Sequence, residues 1–600
     1  MALTYSQKRY IQDHYGVKTP AELAGDIGSS IDDVLRHIQK NDLTPMLKPD
    51  NLEMGTKPPF SETYAYLAML AIVVVLVYLN GMFGTFVSDD VYVLVNDEYI
   101  YKTWDYFLLS PTMFIRNALY FFTYHAVGLV PAAYKIWNLL FHIGFVWMVY
   151  FVMPFFSKKK YLPLIVALFA AVHPMMIESV TWISGGIYAQ AGFFGMLSFY
   201  LYLRDRASPS YKLHVGSVIM FLCAVSSSEK VIVFPIVILL YEFIYGFQKG
   251  AWYKVAAYFT ISFLWGLTLL ARLDSRLTSL QVLNGYDKKV QYINPFLQIP
   301  VALNTYFKLF VWPRHLTIYQ SEFEYTVYQF AGYVIVTISY FGIAIGNYFK
   351  NKAVCFWMLT FFISLLVTLN PLGLSWIVAE RYAYFGSIGL YFSFTVLMYQ
   401  LIDKPKFKVA GYTIITFLLI IFSIRTVVRN IDWISEDNLW PATAKASPSD
   451  PKTHNNLGDV YARQGDLQKA GESFAKALSL NPNYPDAYHN LANIYRSMGN
   501  PDAALDGYTR AVELNPDLWQ SQLNIAAIYF DKGEYDKALE YAMKTASLVP
   551  NNAPVIANVG VIYLRKGEFE KARYYFNEAL KVSPQDPTAL QGLATPELNQ

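Results

Sequence analysis

From residue 60 to residue 427 the chain is a series of apolar runs separated by short polar breaks. A helix crosses a bilayer in about 20 apolar residues. The block divides into eleven runs of roughly that kind, centred near residues 73, 144, 167, 194, 218, 238, 262, 337, 362, 390 and 417. The flanks differ: residues 1–58 are polar, and 428–600 read as a soluble segment. Only 16% of the chain is charged, against about 25% in soluble proteins, and the deficit lies in the central block. The expectation is an integral membrane protein with a soluble C-terminal domain.

The breaks orient the spans. Lys158, Lys159 and Lys160 join the second and third runs. Arg204, Arg206 and Lys212 join the next pair, then Lys249 with Lys254, Lys350 with Lys352, and Lys404, Lys406 and Lys408. Every alternate break is basic, so these breaks and the N-terminus are predicted to be cytoplasmic. The other breaks carry Asp89-Asp90, His173 with Glu178, Glu229, Glu380 with Arg381, and Arg425 with Arg429. Ionisable groups at membrane depth are costly, and a set of them on one face marks a site. The apolar segment 297–312 reads as an interfacial helix, because a twelfth span would invert the later basic loops.

Beyond residue 451 the sequence repeats every 34 residues, the tetratricopeptide (TPR) period. Gly458, Ala492, Ala526 and Gly560 are in step, as are Tyr461, Tyr495, Tyr529 and Tyr563, and Pro482, Pro516, Pro550 and Pro584. Four repeats and a capping helix are expected over 451–600, after a linker at 429–450. One in-phase position is polar: Asn456, Asn490, Asn524 and Asn558. It falls on the first helix of each repeat, which lines the concave surface of a solenoid. An amide both donates and accepts, so this column suits an extended peptide backbone; it is equally an ordinary consensus position.

The first 58 residues are too polar for a cleavable leader. They read as three short helices in a helix-turn-helix-like bundle, helped by Pro20 and by Ser29-Ser30 at helix starts. Residues 1–50 hold six basic and seven acidic side chains, so nucleic acid is not an expected partner. The two cysteines, Cys223 and Cys355, lie in apolar runs and exclude a disulfide framework or zinc site.

In order along the chain stand "FVSDDVYVLVN", "YKIWNLLFH", "AVHPMMIESVTWISGG", "KLFVWPRHLTIY", "AERYAYFGSIG" and "RTVVRNIDWISEDNLW", the last running into the repeats. This ordered set, over about residues 80–600, resembles the transmembrane-and-TPR O-mannosyltransferases (the TMTC family) and their prokaryotic relatives, within the GT-C glycosyltransferases. The resemblance implies an all-α GT-C membrane domain over 60–428 with a C-terminal TPR solenoid. It implies inverting transfer of a hexose, mannose or similar, from a polyprenyl-phosphate donor to Ser or Thr of an extracytoplasmic protein, at the plasma (inner) membrane if the source is prokaryotic. Asp89 or Asp90 would accept the hydroxyl proton, the partner carboxylate orienting the acceptor. Arg381, then Arg429 or Arg425, would hold the donor phosphate. His173, Glu178, Glu229 and Glu380 would line the sugar pocket, segment 297–312 would guide the prenyl chain, and the asparagine column would hold the acceptor. No organic cofactor is implied, and a divalent metal is left open. The chain departs from the family pattern twice: Ser228 stands where a lysine is frequent, and Gly186 where an arginine is frequent. Two donor-side cations are thus missing from their usual places. The alternative is a catalytically degenerate, membrane-anchored TPR scaffold.

Overall fold

The computed structural model describes residues 4–14, 20–40, 60–97, 99–104, 111–248, 250–273, 294–320, 325–369 and 376–598. The expected domain boundary near residue 58 lies outside them. Every regular element among the described residues is helical.

Helices Tyr5–His14, Pro20–Asp26 and Ile31–Lys40 form the N-terminal bundle. They close over Ile11, Leu23, Ala24, Val34 and Ile38. Ser30 starts the third helix, its Oγ accepting from the Asp33 backbone N–H at 3.1 Å.

A helix lies at each of the eleven predicted centres, but the spans are less uniform than the hydropathy suggests. Five are long and apolar enough to cross a membrane alone: Ser61–Gly81, Pro131–Phe155, Ala251–Ala271, Val327–Lys350 and Pro405–Trp433. A sixth is broken, Leu162–Val172 turning by 58° into Pro174–Val180. The remaining centres hold Gly186–Ala207, which ends in charged residues, and four shorter helices, Tyr211–Ser227, Phe234–Tyr245, Lys352–Leu365 and Ser387–Ile402. Among the described residues, five or six of the eleven helices are thus long and apolar enough to cross a membrane by themselves, and the others are shorter. The physical reason is visible in the sequence order: residues 174–176, 229–233 and 380–383 are wound as 3-10 turns, which take the place of the outer turns of the following helices. Non-helical backbone is tolerated at such depth only where protein buries it, and His173, Met175, Ser228 and Glu380 are all buried. The segment 297–312 forms the helix Pro295–Val311, which contains Pro300 and is shorter than a span. Its Val301, Ala302, Leu303, Tyr306 and Leu309 are buried against protein.

The two kinds of loop sort to different ends of the bundle. At one end basic loops meet acidic partners: Lys159 bonds Asp403 at 2.7 Å, Lys160 pairs with Glu62 at 3.6 Å, Arg206 with Glu242 at 2.7 Å and Lys254 with Asp205 at 2.5 Å. At the other end the loops carrying the candidate site residues meet one another, as described below.

A second compact unit begins at Trp440 and carries the repeats. Its paired helices are Pro451–Arg463 with Leu467–Leu480, Pro485–Ser497 with Pro501–Leu514, Trp519–Asp531 with Tyr535–Leu548, and Ala553–Arg565 with Phe569–Val582; Pro587–Leu593 follows. Gly465, Gly499, Gly533 and Gly567 turn each pair at φ between +76° and +79°, a conformation that a side chain disfavours. The tight turn brings small residues into the helix contacts: Ala470, Ala504, Ala538 and Ala572 are fully buried. Phe576 is equally buried, in the core of the last repeat. Phe576→Ala should cost about 3–5 kcal/mol locally. Because each repeat leans only on its neighbours, hydrogen exchange should accelerate across 535–598 while 451–480 keeps its protection.

Candidate functional site

The candidate site is built where the first span ends. Helix Phe60–Tyr78 passes through a 3-10 turn, Leu79–Gly81, into an extended stretch. That stretch is stitched to distant chain. The Thr85 N–H donates to Ile434 O at 2.7 Å, Asn80 Nδ2 to Val427 O at 2.7 Å, and Asn430 Nδ2 to Asn80 Oδ1 at 3.0 Å and Val77 O at 2.9 Å. Thr181 Oγ1 donates to Asn430 Oδ1 at 2.7 Å. The ends of the first and last spans and the 174–186 turn are therefore one polar knot. Lys135, buried in the second span, adds a bond from Nζ to Gly81 O at 3.0 Å.

The two aspartates part ways at this point. Ser88 takes a left-handed conformation, φ +54°, and its N–H donates to Glu436 Oε1 at 3.3 Å. Asp90 then turns inwards and is fully buried. Its Oδ1 accepts from the Ser184 N–H at 2.8 Å and the Ser184 hydroxyl at 2.6 Å, and its Oδ2 accepts from the Val87 N–H at 3.3 Å. Burial pushes its carboxyl up to about 7, against the pull of those bonds and of Lys135. Asp89 points the other way and is exposed to solvent. The protein crowded around it still raises its carboxyl above the usual range, and the charge of Arg381 opposes the rise. The role of orienting an acceptor, expected for the second carboxylate, does not suit Asp90. Its oxygens are spent on the protein, and it pins the loop that presents Asp89.

Arg381, whose charge acts on Asp89, belongs to a chain of buried charges. Glu178 Oε2 accepts from Arg381 Nη1 and from the Arg381 backbone N–H, both at 3.1 Å. The guanidinium carbon of Arg381 stands 5.4 Å from the Trp182 ring centroid and 5.1 Å from that of Tyr382. Trp182 stacks on Trp433 at 5.5 Å and donates through Nε1 to Val87 O at 3.3 Å, which ties the arginine to the aspartate loop. Glu380 turns away from its neighbour, Oε1 accepting from the Thr317 N–H at 2.7 Å. Burial, then the Glu178 charge, pushes the Glu380 carboxyl up, while Arg429 and Arg425 pull it down.

The three arginines do not form a single clamp. Arg381 sits against Glu178, Trp182 and Tyr382. Arg425 and Arg429 stand one turn apart on the last span. Arg425 donates to Pro313 O at 3.0 Å and Arg314 O at 3.2 Å. Arg429, 1% exposed, donates from Nη1 to Asp432 Oδ2 at 2.8 Å, and its Nε and Nη2 have no hydrogen-bond partner among the described residues.

The predicted sugar-pocket residues also separate. His173 is buried with both ring nitrogens engaged: Nδ1 accepts from the Met175 N–H at 3.3 Å, so Nε2–H donates to Phe310 O at 3.0 Å. It pins helix Pro295–Val311 to the break in the third span and has no polar atom left for a sugar. Glu229 is half-buried at the start of its 3-10 turn, and its charge is felt by Tyr188 and Tyr382 beside Arg381. Glu178 and Glu380 each keep one buried oxygen without a partner among the described residues. Among those residues no three His, Cys, Asp or Glu side chains gather where they could hold a metal ion.

Both departures from the family pattern are packed shut. A Cβ on Gly186 would lie 1.7 Å from Asn138 Oδ1, and Asn138 is fixed by donating to Trp182 O at 2.9 Å. Ser228 is 1% exposed and its Oγ accepts from the Lys230 N–H at 3.4 Å. The nearby cation is instead Lys230, with Nζ 5.0 Å from the Tyr382 ring centroid. Lys135, Asn138, Ser184 and Asn430 were not singled out from the sequence. The available signal was polar side chains inside apolar runs, as in "YKIWNLLFH".

In the repeats the four column asparagines are half-buried. Asn490 Nδ2 donates to Asn455 Oδ1 at 3.1 Å; Asn524 donates to Asn493 Oδ1 at 3.4 Å and accepts from Arg496 at 3.1 Å. Two of the four amides are thus partly committed to the neighbouring repeat instead of being wholly available to a peptide.

The Asn138–Gly186 contact gives a measurable coupling. Gly186→Ala should lower stability by about 1–3 kcal/mol through overpacking. Asn138→Ala should also destabilise, by freeing buried carbonyls. The double variant should cost less than the sum, because the second change removes the clash. Thermal unfolding of the detergent-solubilised full chain measures all three.

The chain matches the tetratricopeptide repeat family over residues 450–517 and 520–585. It is 29% identical to the mouse protein O-mannosyl-transferase TMTC2 over 105 residues, which is 17% of this chain and 12% of that protein. It is 30% identical to the Xenopus laevis tmtc2 over 105 residues, again 17% and 12%. To human TMTC3 it is 27% identical over 107 residues, 18% of this chain and 12% of that one. The matches thus span about an eighth of the length of these curated relatives. Among solved structures, a crystal structure of MamA is 27% identical, covering 27% of this chain and 94% of its own, with a TM-score of 0.24. The chain carries tetratricopeptide repeats beside helices apolar enough to cross a membrane, and over 105–107 residues it is similar to protein O-mannosyl-transferases of the TMTC family.

Proposed function

We propose that the protein is an integral-membrane glycosyltransferase. It moves a hexose, mannose or similar, from a polyprenyl-phosphate donor to Ser or Thr hydroxyls of extracytoplasmic proteins, which the TPR unit binds. The observation that carries this reading is the division of labour in the aspartate pair. Asp90 is buried to hold the loop, and Asp89 is left exposed, raised in pKa and within the field of Arg381.

An alcohol is a weak nucleophile until its proton is taken. Asp89 accepts that proton as the hydroxyl oxygen bonds to the sugar's anomeric carbon. The bond from that carbon to the phosphate oxygen breaks, and its electron pair leaves with the lipid phosphate. A single displacement inverts the anomeric centre. Guanidinium groups fixed before reaction stabilise the charge that builds on the leaving phosphate, and Arg381 is the one whose charge acts on Asp89. Its pairing with Glu178 holds the side chain in place, at the cost of part of its charge. Lys230, against the same Tyr382 ring, compensates for the cation missing at Ser228.

Asp89→Asn should lower transfer at least a hundredfold while leaving the folded yield unchanged, because the side chain is exposed. Asp90→Asn should reduce folded yield, since an amide would set its NH₂ against either the Ser184 or the Val87 donors. The assay is transfer of radiolabelled sugar from polyprenyl phosphate to a Ser/Thr peptide in proteoliposomes. Near wild-type turnover of Asp89→Asn would remove the base. Transfer by the wild type should also fall as pH drops through the raised pKa of Asp89, at higher pH than for an ordinary exposed aspartate.

The active site and the TPR unit are assigned to the extracytoplasmic side and the N-terminus to the cytoplasm, on the basic-loop alternation. With Cys223 and Cys355 replaced, Ser479→Cys should react with an impermeant maleimide from outside sealed cells, and Lys159→Cys only after permeabilisation. The reverse pattern would sink the assignment.

A further inference from the structure

Beyond the last span, the segment "DWISEDNLW" carries a carboxylate, Glu436, to which the proposed reaction gives no part. It stands in the first turn of helix Glu436–Ala446, where an acidic side chain also favours the helix end. We infer that Glu436 is a positioning residue for transfer: by accepting from the Ser88 N–H it holds the turn that sends the Asp89 carboxylate outwards. The inference rests on the reading of Asp89 as the base and adds what keeps that base in place.

Ser88 is the residue that needs holding. Its φ of +54° is the only positive value at a non-glycine residue among the described residues. A side chain disfavours that conformation, so it persists only where the surroundings fix it. The turn sorts its neighbours: of residues 87–90, Val87, Ser88 and Asp90 are buried and Asp89 alone is exposed. Ser88 is 6% exposed, so its N–H needs an acceptor inside the protein. Glu436 Oε1 is that acceptor, at 3.3 Å.

The same segment grips the loop at two further points. Ile434 O accepts from the Thr85 N–H at 2.7 Å and from the Thr85 hydroxyl at 3.3 Å. A Cβ on Gly84 would lie 2.6 Å from that carbonyl oxygen and 2.8 Å from Ile434 Cα, so the two backbones already touch and leave room only for glycine. The loop's other side is closed by Trp182, which donates to Val87 O at 3.3 Å, and by Ser184 on Asp90. The loop is thus clamped between the 182–184 turn and a strap at 434–436. Of the strap's two acceptors, Ile434 O is backbone, and Glu436 is the one that a substitution can remove.

Two variants separate reach from charge. Glu436→Asp keeps the charge at the helix start and draws the carboxylate back by one methylene. Glu436→Gln keeps the reach and an acceptor oxygen and loses the charge. In the proteoliposome assay with the full chain, Glu436→Asp should lower kcat at least twentyfold with the donor KM within twofold, because Asp89 acts only in the chemical step. Glu436→Gln should lose less than threefold. Ser88→Gly supplies the third arm, since glycine adopts positive φ without a side-chain penalty. In that background Glu436→Asp should cost less than threefold, a coupling that a damaged helix end would not show. Hydrogen exchange across 84–91 needs no turnover: Glu436→Asp should accelerate it at least fivefold, and Glu436→Gln should not. The reverse ranking of Asp and Gln, an undiminished Glu436→Asp loss in the Ser88→Gly background, or loss of transfer in folded Ser88→Gly alone would each overturn the inference. A wild type that transfers nothing would overturn the reading of Asp89 as a base, and exchange at 84–91 would still decide whether Glu436 holds the turn.

Discussion

The site depends on satisfying polar backbone where there is little water to do so. The chain leaves its helices at 79–90, 173–186, 228–233 and 376–386, and at each exit the freed N–H and C=O groups must find partners inside the protein. Asn430, Asn80, Thr181 and Lys135 meet that need at the first two exits, with bonds to Val77 O, Val427 O, Asn430 Oδ1 and Gly81 O. Asp90 does the same with the Ser184 and Val87 N–H groups. Once these bonds are made, the loop has one arrangement, and Asp89 is carried outwards by the geometry of its neighbour. An exposed carboxylate is thus presented on irregular backbone that is nevertheless fixed, which is what the proposed catalytic role would require.

Much of this architecture could be read from the sequence, and the reasons differ by region. The solenoid announces itself because each repeat obeys the same local packing rules, so a 34-residue period in Gly, Ala, Tyr and Pro is enough. The spans are legible as apolar runs, but their lengths are not. Hydropathy does not distinguish an α-helical turn from the 3-10 turns at 174–176, 229–233 and 380–383, which are just as apolar in their surroundings. The aspartate pair was visible, yet the partition of roles was not, because it is set by Ser184, 94 residues away. Lys135 was hidden for a similar reason: its partner is a backbone carbonyl, which has no signature in sequence. His173 looked like a pocket residue by its position among polar groups. Only the structure shows that Met175 and Phe310 consume both of its nitrogens.

The two positions where the family pattern carries cations are each packed into the surroundings of Arg381 or Lys230. Gly186 cannot be read as a simple loss of an arginine, because Asn138 occupies the space where any side chain would begin. Asn138 in turn holds the carbonyls at 182 and 183, next to Trp182, on which Arg381 rests. The small residue therefore belongs to the support of the remaining arginine. At Ser228 a buried hydroxyl caps the turn, and the positive charge reappears two residues later at Lys230. Lys230 and Arg381 lie 5.0 and 5.1 Å from the same Tyr382 ring, so the aromatic ring fixes the spacing of two cations that come from distant parts of the chain.

The asparagine column follows the same logic in the solenoid. Solenoid stability is a sum of repeat and nearest-neighbour terms, so a polar side chain on the concave face is useful to the fold if it bonds across to the next repeat. Asn490 and Asn524 do so, through Asn455 and Asn493. Each amide nevertheless has more hydrogen-bonding sites than these bonds use. A bound peptide backbone would then extend an existing ladder, and the cost of ordering the side chains is already met by the fold. For the proposed peptide, consensus position and binding surface would be two consequences of one arrangement, since the bonds that join the repeats also hold the amides in register.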